Sequence, residues 1–331
     1  MIPIIDPVDR TLILKELTAD KLLRKTNNGG NEIYVVTARN SPNIMQELGR
    51  LRELSFRDAG GGTGAAVDID AEDTAEEGYQ QLFVWDPKAQ EIVGGYRFIV
   101  SRTPHPKHMS TEHYFRFSDK FRNEFLPYTI ELGRSFVQPL YQGIRQNPKG
   151  LYSLDNLWDG LGALVVTNPD MKYFFGKVTM YGDYNKEARD LLIYFLKKYF
   201  PDRDKLVDPI YPIELDIDNE AMGAVFCGES YAEDYKILTR EIRKCRENIP
   251  PLINSYMNLS PTMRVFDTVS NPDFGGVEET GILVTIRDIY PEKRERYTRW
   301  LGWQADLKYR RELFREHIRG HFDRIKKKRN G

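Results

Sequence analysis

Cysteine is nearly absent: the 331 residues contain two, Cys227 and Cys245, with no C-x-x-C spacing. That excludes a disulfide scaffold and a cysteine-held zinc site, and it fits a reducing compartment. No apolar run approaches the ~18 residues that a membrane-spanning helix needs. The opening residues, Met1-Ile-Pro-Ile-Ile-Asp6, lack the basic stretch followed by an apolar one that marks an export signal. A cytoplasmic location is expected. Histidine is scarce at five residues, and three of these, His105, His108 and His113, share one loop with no carboxylate or cysteine completing a ligand set. No metal site is expected. Internal repeats and low-complexity tracts are missing too.

What is present suits a folded chain, since a hydrophobic fraction of 40% can fill the core of one large α/β domain or two small ones. The net charge of −1 is unevenly spread: residues 290–331 hold 14 Lys and Arg against 6 Asp and Glu, a local +8 that leaves the rest at −9. A basic segment on an acidic body favours an anionic surface as partner, either lipid or acidic protein, and nucleic acid is not expected.

Along the chain, Asp9–Lys25 reads as a helical lead-in, Glu32–Arg39 as a strand and Asn43–Arg57 as a helix placing Arg52 and Phe56 one turn apart. Asp68–Gly78, with six carboxylates and no Lys or Arg, reads as a loop with a strong negative field. Gln80–Trp85 and Ile92–Val100, parted by Asp86-Pro87-Lys88, form a hairpin, and Tyr128–Val137 is a further strand. Helices follow at Leu151–Val166 and Asn185–Phe200, with a strand at Tyr173–Met180 between them. A charged helix (Glu233–Glu247), a helix opened by Pro250-Pro251 and a closing strand pair (Met263–Thr268, Gly281–Ile286) complete the body. From Arg299, Trp300, Trp303, Leu307, Phe314, Ile318, Phe322 and Ile325 recur at three and four residues among Lys and Arg, an amphipathic basic helix. Strands interrupted by two long helices predict an α/β or α+β fold, a mixed sheet with helices on its faces. Trp158 and Phe195 read as core.

Four polar signals stand out in order: Arg52-x-x-x-Phe56; Asp68-x-Asp70-x-x-Asp73; Arg97 after Gly94-Gly95; and Glu131-Leu-Gly-Arg134. Their order and separation resemble the acyl-homoserine-lactone synthases and their relatives in the GNAT superfamily, the ornithine- and glycine-lipid N-acyltransferases labelled "hemolysin-like". Leu157-Trp-Asp-Gly-Leu161, Pro250-Pro-Leu-Ile-Asn-Ser-Tyr256 and Asp273-Phe274 are similar to segments of the hemolysin-like branch, so the likeness spans roughly residues 30–290. The block Glu131–Pro139 is similar to the Bacteroidetes-type members, a group linked to N-acylglycine, the precursor of glycine lipids. The resemblance implies a mostly antiparallel GNAT-like sheet over 1–290, with a helical lead-in over 1–30, followed by a C-terminal extension over 291–331. It also implies transfer of a long fatty acyl group, with or without a 3-hydroxyl, from acyl carrier protein or acyl-CoA to the amine of a small amino acid. No bound cofactor is expected.

The residue types suit that chemistry. An amine must lose a proton before it attacks a thioester, and Glu131 is the expected base. Asp70 and Asp73 would hold the substrate ammonium. Arg97 and Arg134 would fix those carboxylates or clamp the amino acid's own. Arg52, Phe56 and Asp68 complete the expected substrate-binding group. In the superfamily a backbone N–H of a bulged strand stabilises the oxyanion, which places that donor within Ser135, Phe136 and Val137. A buried ion-pair network tying loop to sheet would use Arg52, Asp68 and Arg97 equally well with no part in catalysis.

Acetyl-CoA enzymes of the superfamily carry Q/R-x-x-G-x-G/A before the first long helix, whereas Gln142–Gly150 here lacks the central glycine. Acyl carrier protein presents a single phosphate, for which Arg145 and Lys149 would suffice. The superfamily's tyrosine acid has Leu192 at its place, with Tyr194 two residues late. The basic C-terminal helix would rest on anionic lipid at the inner membrane face, or pack on the body. Other readings are a homoserine-lactone-type synthase, against which the length speaks, and a membrane-associated binding protein without catalysis.

Overall fold

The computed structural model describes residues 1–102, 109–142 and 148–298. The expectations for Arg145, for the side chain of Lys149, for His105 and His108 and for the basic helix from Arg299 lie outside the described residues.

Among the described residues the strands are β1 (Leu22–Lys25), β2 (Glu32–Val36), β3 (Gln80–Asp86), β4 (Glu91–Ser101), β5 (Phe115–Phe117), β6 (Thr129–Val137), β7 (Tyr173–Met180), β8 (Val207–Pro209), β9 (Arg264–Asn271) and β10 (Val277–Thr285). The helices are α1 (Arg10–Glu16), α2 (Pro42–Asp58), α3 (Ala71–Thr74), α4 (Ser153–Thr167), α5 (Lys186–Tyr199), α6 (Asn219–Val225), α7 (Tyr231–Lys244), α8 (Pro251–Met257) and α9 (Pro291–Thr298). None of them is long and apolar enough to cross a membrane.

Eight strands form one sheet in the order β1-β2-β3-β4-β6-β7-β10-β9, while β5 and β8 pair separately. Every pairing in the large sheet is antiparallel except β6 with β7, which α4 connects as a crossover. That parallel ladder runs only from Thr129–Tyr173 to Leu132–Gly176, although β6 continues to Val137 and β7 to Met180. Beyond Leu132 the two strands part. At the fork the backbones are close: a Cβ on Gly176 would lie 2.6 Å from the Leu132 carbonyl oxygen.

Helices cover both faces. On one, Tyr96, Phe98, Leu132, Phe174 and Val178 meet Leu157, Trp158, Leu161 of α4 and Phe195 of α5. A Cβ on Gly160 would come within 2.6 Å of Leu82, so α4 lies nearly on the sheet. On the other face, Ile44, Leu48, Leu51 and Phe56 of α2 pack on Tyr34, Phe83 and Phe136. Beside them Phe115, Phe117, Phe121 and Phe175 fill a second apolar region.

The lead-in read as one helix over Asp9–Lys25 is in fact two elements. Asp9 caps α1 by accepting from the Thr11 N–H, and the chain turns before Leu22 to add β1 to the edge of β2. Pairing with β2 supplies backbone partners that no local signal announces. The acidic stretch is also more ordered than a loop: Asp70 and Asp73 form a reciprocal capping box around α3. Local like charge argued against burial there, and three arginines from distant segments supply the compensation.

Candidate active site

The four sequence signals converge on one side of the sheet. Arg52 of α2 donates from Nη1 to Asp73 at 3.0 Å and to the Asp68 carbonyl at 3.2 Å, and from Nη2 to Gln81 at 2.9 Å. Arg97 of β4 reaches Asp70 at 2.6 Å, Glu72 at 3.0 Å and Asp73 at 3.3 Å, and stacks over the Tyr79 ring. Arg52, Arg97, Asp68 and Asp73 are all buried. Burial alone raises the Asp73 carboxyl, but the charges of Arg52 and Arg97 with their hydrogen bonds outweigh it and hold it well below the usual carboxylate range. Burial likewise lowers Arg97, and Asp73 and Asp70 more than reverse that.

Arg134 is placed by a bulge. Gly95 pairs with Phe136 and Arg97 with Gly133, so Tyr96 faces two residues of β6, Arg134 and Ser135. Arg134 sits at φ +51°, the left-handed region that L side chains rarely adopt. The extra residue turns its guanidinium to Asp68, 2.9 Å from Nε, and over the Phe274 ring.

Behind the parted strands lies a cavity of ≈ 560 Å³. Its polar end is formed by Arg134, Lys177, Glu279 and Thr179, with Phe56 and Phe274 beside them; its other end lies between Leu154 and Leu157 of α4 and Pro250, Pro251 and Leu252 at α8. These groups belong to opposite faces of the sheet, so the cavity passes through it where β6 and β7 separate. A narrower pocket of ≈ 50 Å³ shares Leu132, Arg134, Ser135, Leu157, Lys177 and Leu252 with it and runs inward to Trp158, Leu161, Phe174 and Val284. Trp158, Leu161 and Phe174 also wall a third space of ≈ 30 Å³ that reaches Ile289 and Arg294. Trp158, read as core from the sequence, is buried and stands between two pockets.

Of the expected residues, Arg134, Ser135, Phe136, Val137 and Phe56 line the large cavity. Arg52, Asp68, Asp70, Asp73 and Arg97 form the ion-pair network behind Arg134 and do not line it. Glu131, the expected base, does not line it either. It is fully buried and accepts from Tyr79 Oη at 2.8 Å, Ser110 Oγ at 2.8 Å and the Thr111 N–H at 3.0 Å, and burial raises its pKa. The strand's two-residue period sends Glu131 under the 3-10 turn at Ser110–His113, and the bulge lies beyond it. Tyr194 stacks on Phe226 away from the cavity, and Leu192 is core.

Lys177 and Glu279 are the functional candidates that sequence reasoning missed. They sit diagonally across β7 and β10, with Nζ 2.6 Å from Glu279 Oε2 and side chains 10% and 5% exposed. The Asn271 amide also donates to Glu279 at 3.0 Å, and the Lys177 ammonium lies over the Tyr114 ring. Burial lowers the Lys177 pKa. The signal was available: Lys177 interrupts the apolar strand Phe174-Phe-Gly-Lys-Val178, an oddity of the same kind that drew attention to Glu131.

A family model described as "Acetyltransferase (GNAT) domain" matches residues 51–148, the span holding Arg52, the acidic turn, Arg97 and the bulged strand. Two curated proteins, each named glycine N(alpha)-acyltransferase, come from Phocaeicola vulgatus and Bacteroides thetaiotaomicron. Each is 54% identical over 299 residues, covering 89% of this chain and 92% and 89% of theirs. Among solved structures, a CoA-dependent acyl-homoserine lactone synthase, MesI, has 13% identity and a TM-score of 0.32, covering 82% of this chain and 96% of that one.

Proposed function

Because the chain belongs to the family of these glycine N(alpha)-acyltransferases, we propose that it transfers a long fatty acyl group from acyl carrier protein to the α-amine of glycine, forming an N-acylglycine. One observation carries the reading: the cavity through the parted strands meets Arg134, Lys177 and Glu279, and from Arg134 and Lys177 a narrower pocket leads inward to the apolar side chains of Leu157, Trp158, Leu161 and Phe174. A thioester seated in the fork would present its carbonyl beside the bulge, with its alkyl chain directed toward Leu157 and Trp158. The amino acid would approach from the side of Arg134.

In this reading the backbone N–H groups of Ser135, Phe136 and Val137 take the oxyanion, a role that the bulge at Arg134–Ser135 supports. Arg134 meets the acceptor's carboxylate, and Phe56 bounds the space for it. Arg52, Asp68, Asp70, Asp73 and Arg97 hold Arg134 and the acidic turn in place, and Glu131 anchors β6 beneath the bulge. Arg145 and Lys149 remain the proposed anchor for the carrier's phosphate. The basic segment 291–331 is proposed to meet an anionic membrane surface, and lipid-vesicle cosedimentation of the full chain against one ending near Tyr290 tests that.

The deciding experiment is release of free thiol from acyl carrier protein thioesters on adding single amino acids, with the product identified by mass spectrometry. Carrier thioesters are compared with acyl-CoA, and 3-hydroxyacyl with plain acyl chains. Release with glycine and an N-acylglycine product is expected; release only with S-adenosylmethionine, or with no amine at all, overturns the proposal.

A further inference from the structure

Glycine enters such a reaction as a zwitterion, so its site must receive a carboxylate and an ammonium two bonds apart and then remove a proton from the ammonium. The described charged side chains lining the large cavity are Arg134, Lys177 and Glu279. Two are cationic and one anionic, and the lysine and the carboxylate touch each other. Within the described lining of this cavity, Glu279 is the one carboxylate that meets the space the acceptor would occupy.

Resting on the reading above, we propose that the Lys177–Glu279 pair is the seat of the acceptor amino acid and that Glu279 is its general base. The zwitterion lies against the pair in the opposite sense, its carboxylate between Lys177 and Arg134 and its ammonium on Glu279. Glu279 accepts one ammonium proton. The freed lone pair forms the N–C bond to the thioester carbonyl, and the tetrahedral intermediate expels the thiolate with the C–S electron pair. Of the two protons lost from nitrogen, one ends on the departing sulfur and the other in solvent, so the products are the N-acyl amino acid carboxylate, a thiol and a proton.

The surroundings suit the task. Glu279 is held by the Asn271 amide, which in turn accepts from Tyr114 Oη at 3.0 Å, so the carboxylate keeps its aim when the substrate displaces the lysine from it. Lys177 is confined between that carboxylate and the Tyr114 face. Glu131 is fully occupied by its three donors, and Asp68 is paired with Arg134.

The test uses the full chain with acyl carrier protein thioester and compares glycine with ethylamine, which lacks the carboxylate. Glu279→Gln is expected to lower kcat by 10²-fold or more, the usual worth of a general base, with the KM for the thioester within about twofold. Lys177→Met is expected to cut the preference for glycine over ethylamine by about tenfold or more. A kcat for Glu279→Gln within about threefold of the parent chain, or an unchanged amine preference in Lys177→Met, overturns the proposal. Should Glu279→Gln not fold, Glu279→Asp with an equally large loss of kcat serves in its place. If the parent chain acylates no amine, the proposed function fails separately. Glycine binding by saturation-transfer NMR then decides this site: binding lost in Lys177→Met supports it, and no binding to the parent chain refutes it.

Discussion

The guanidinium of Arg134 lies 2.9 Å from the Asp68 carboxylate because β6 carries one residue more than β4 opposite Tyr96. Regular alternation would send that side chain to the α4 face. The bulge instead sets it at the mouth of the cavity, against a carboxylate that is 1% exposed. Its backbone conformation is a costly one for arginine, on the order of 1–2 kcal/mol, and the ion pair offsets that cost.

Arg134→Ala leaves Asp68 as a buried, uncompensated charge, which destabilises by roughly 3–5 kcal/mol. Adding Asp68→Asn should restore most of the lost stability in urea unfolding. Acyl transfer should stay at background in both the single and the double variant. Recovery of transfer together with stability would show that Arg134 only props the fold.

Glu131→Gln should keep transfer within about fivefold of the parent chain, since that carboxylate does not line the cavity and the amide still offers an acceptor to Ser110 and Thr111. Glu131→Ala strands three buried donors at ~1–3 kcal/mol each and should lower the melting temperature sharply. Loss of transfer in the glutamine variant with an unchanged melting temperature would return the role of base to Glu131.

Asp73 sets an acid limit on stability. Its folded pKa is depressed below 3.8, so its contribution is fully present above that value and is lost as pH falls toward the folded pKa. Urea unfolding between pH 5 and pH 2 should show a steep decline below about pH 4 in the parent chain. In Asp73→Asn the curve should be lower at pH 5 and flatter in acid. Parallel curves would remove Asp73 from the acid response.

Trp158→Ala should join the inner pocket to the space beside Ile289. Each further buried methylene is worth ~0.8 kcal/mol, about fourfold, so acyl chains two carbons longer should gain about fifteenfold in relative kcat/KM. The truncation should also cost roughly 3–5 kcal/mol of stability. An unchanged chain-length profile would place the alkyl chain elsewhere.

Long periodic elements were legible because burial of one face imposes a pattern on neighbouring residues. The β7 strand is found at the predicted Tyr173–Met180, and α2, α4 and α5 fall within about two residues of their predicted spans. The strands β1, β5 and β8, of three or four residues each, were not legible. Their formation depends on partners distant in the chain, not on local pattern.

The sequence by itself determined the fold class and the acyltransferase family, because both rest on residue types and on their order along the chain. It also supplied the residues of the Arg52–Asp73–Arg97 network and the stretch Ser135–Val137. Only the tertiary structure decided which charges meet the cavity. Which way a strand side chain points depends on register, and one extra residue in β6 reverses it. The bulge turned Arg134 to the mouth, the regular register before it left Glu131 sealed beneath the sheet, and the β7–β10 pairing brought Lys177 and Glu279, 102 positions apart in the numbering, into contact where β6 and β7 part.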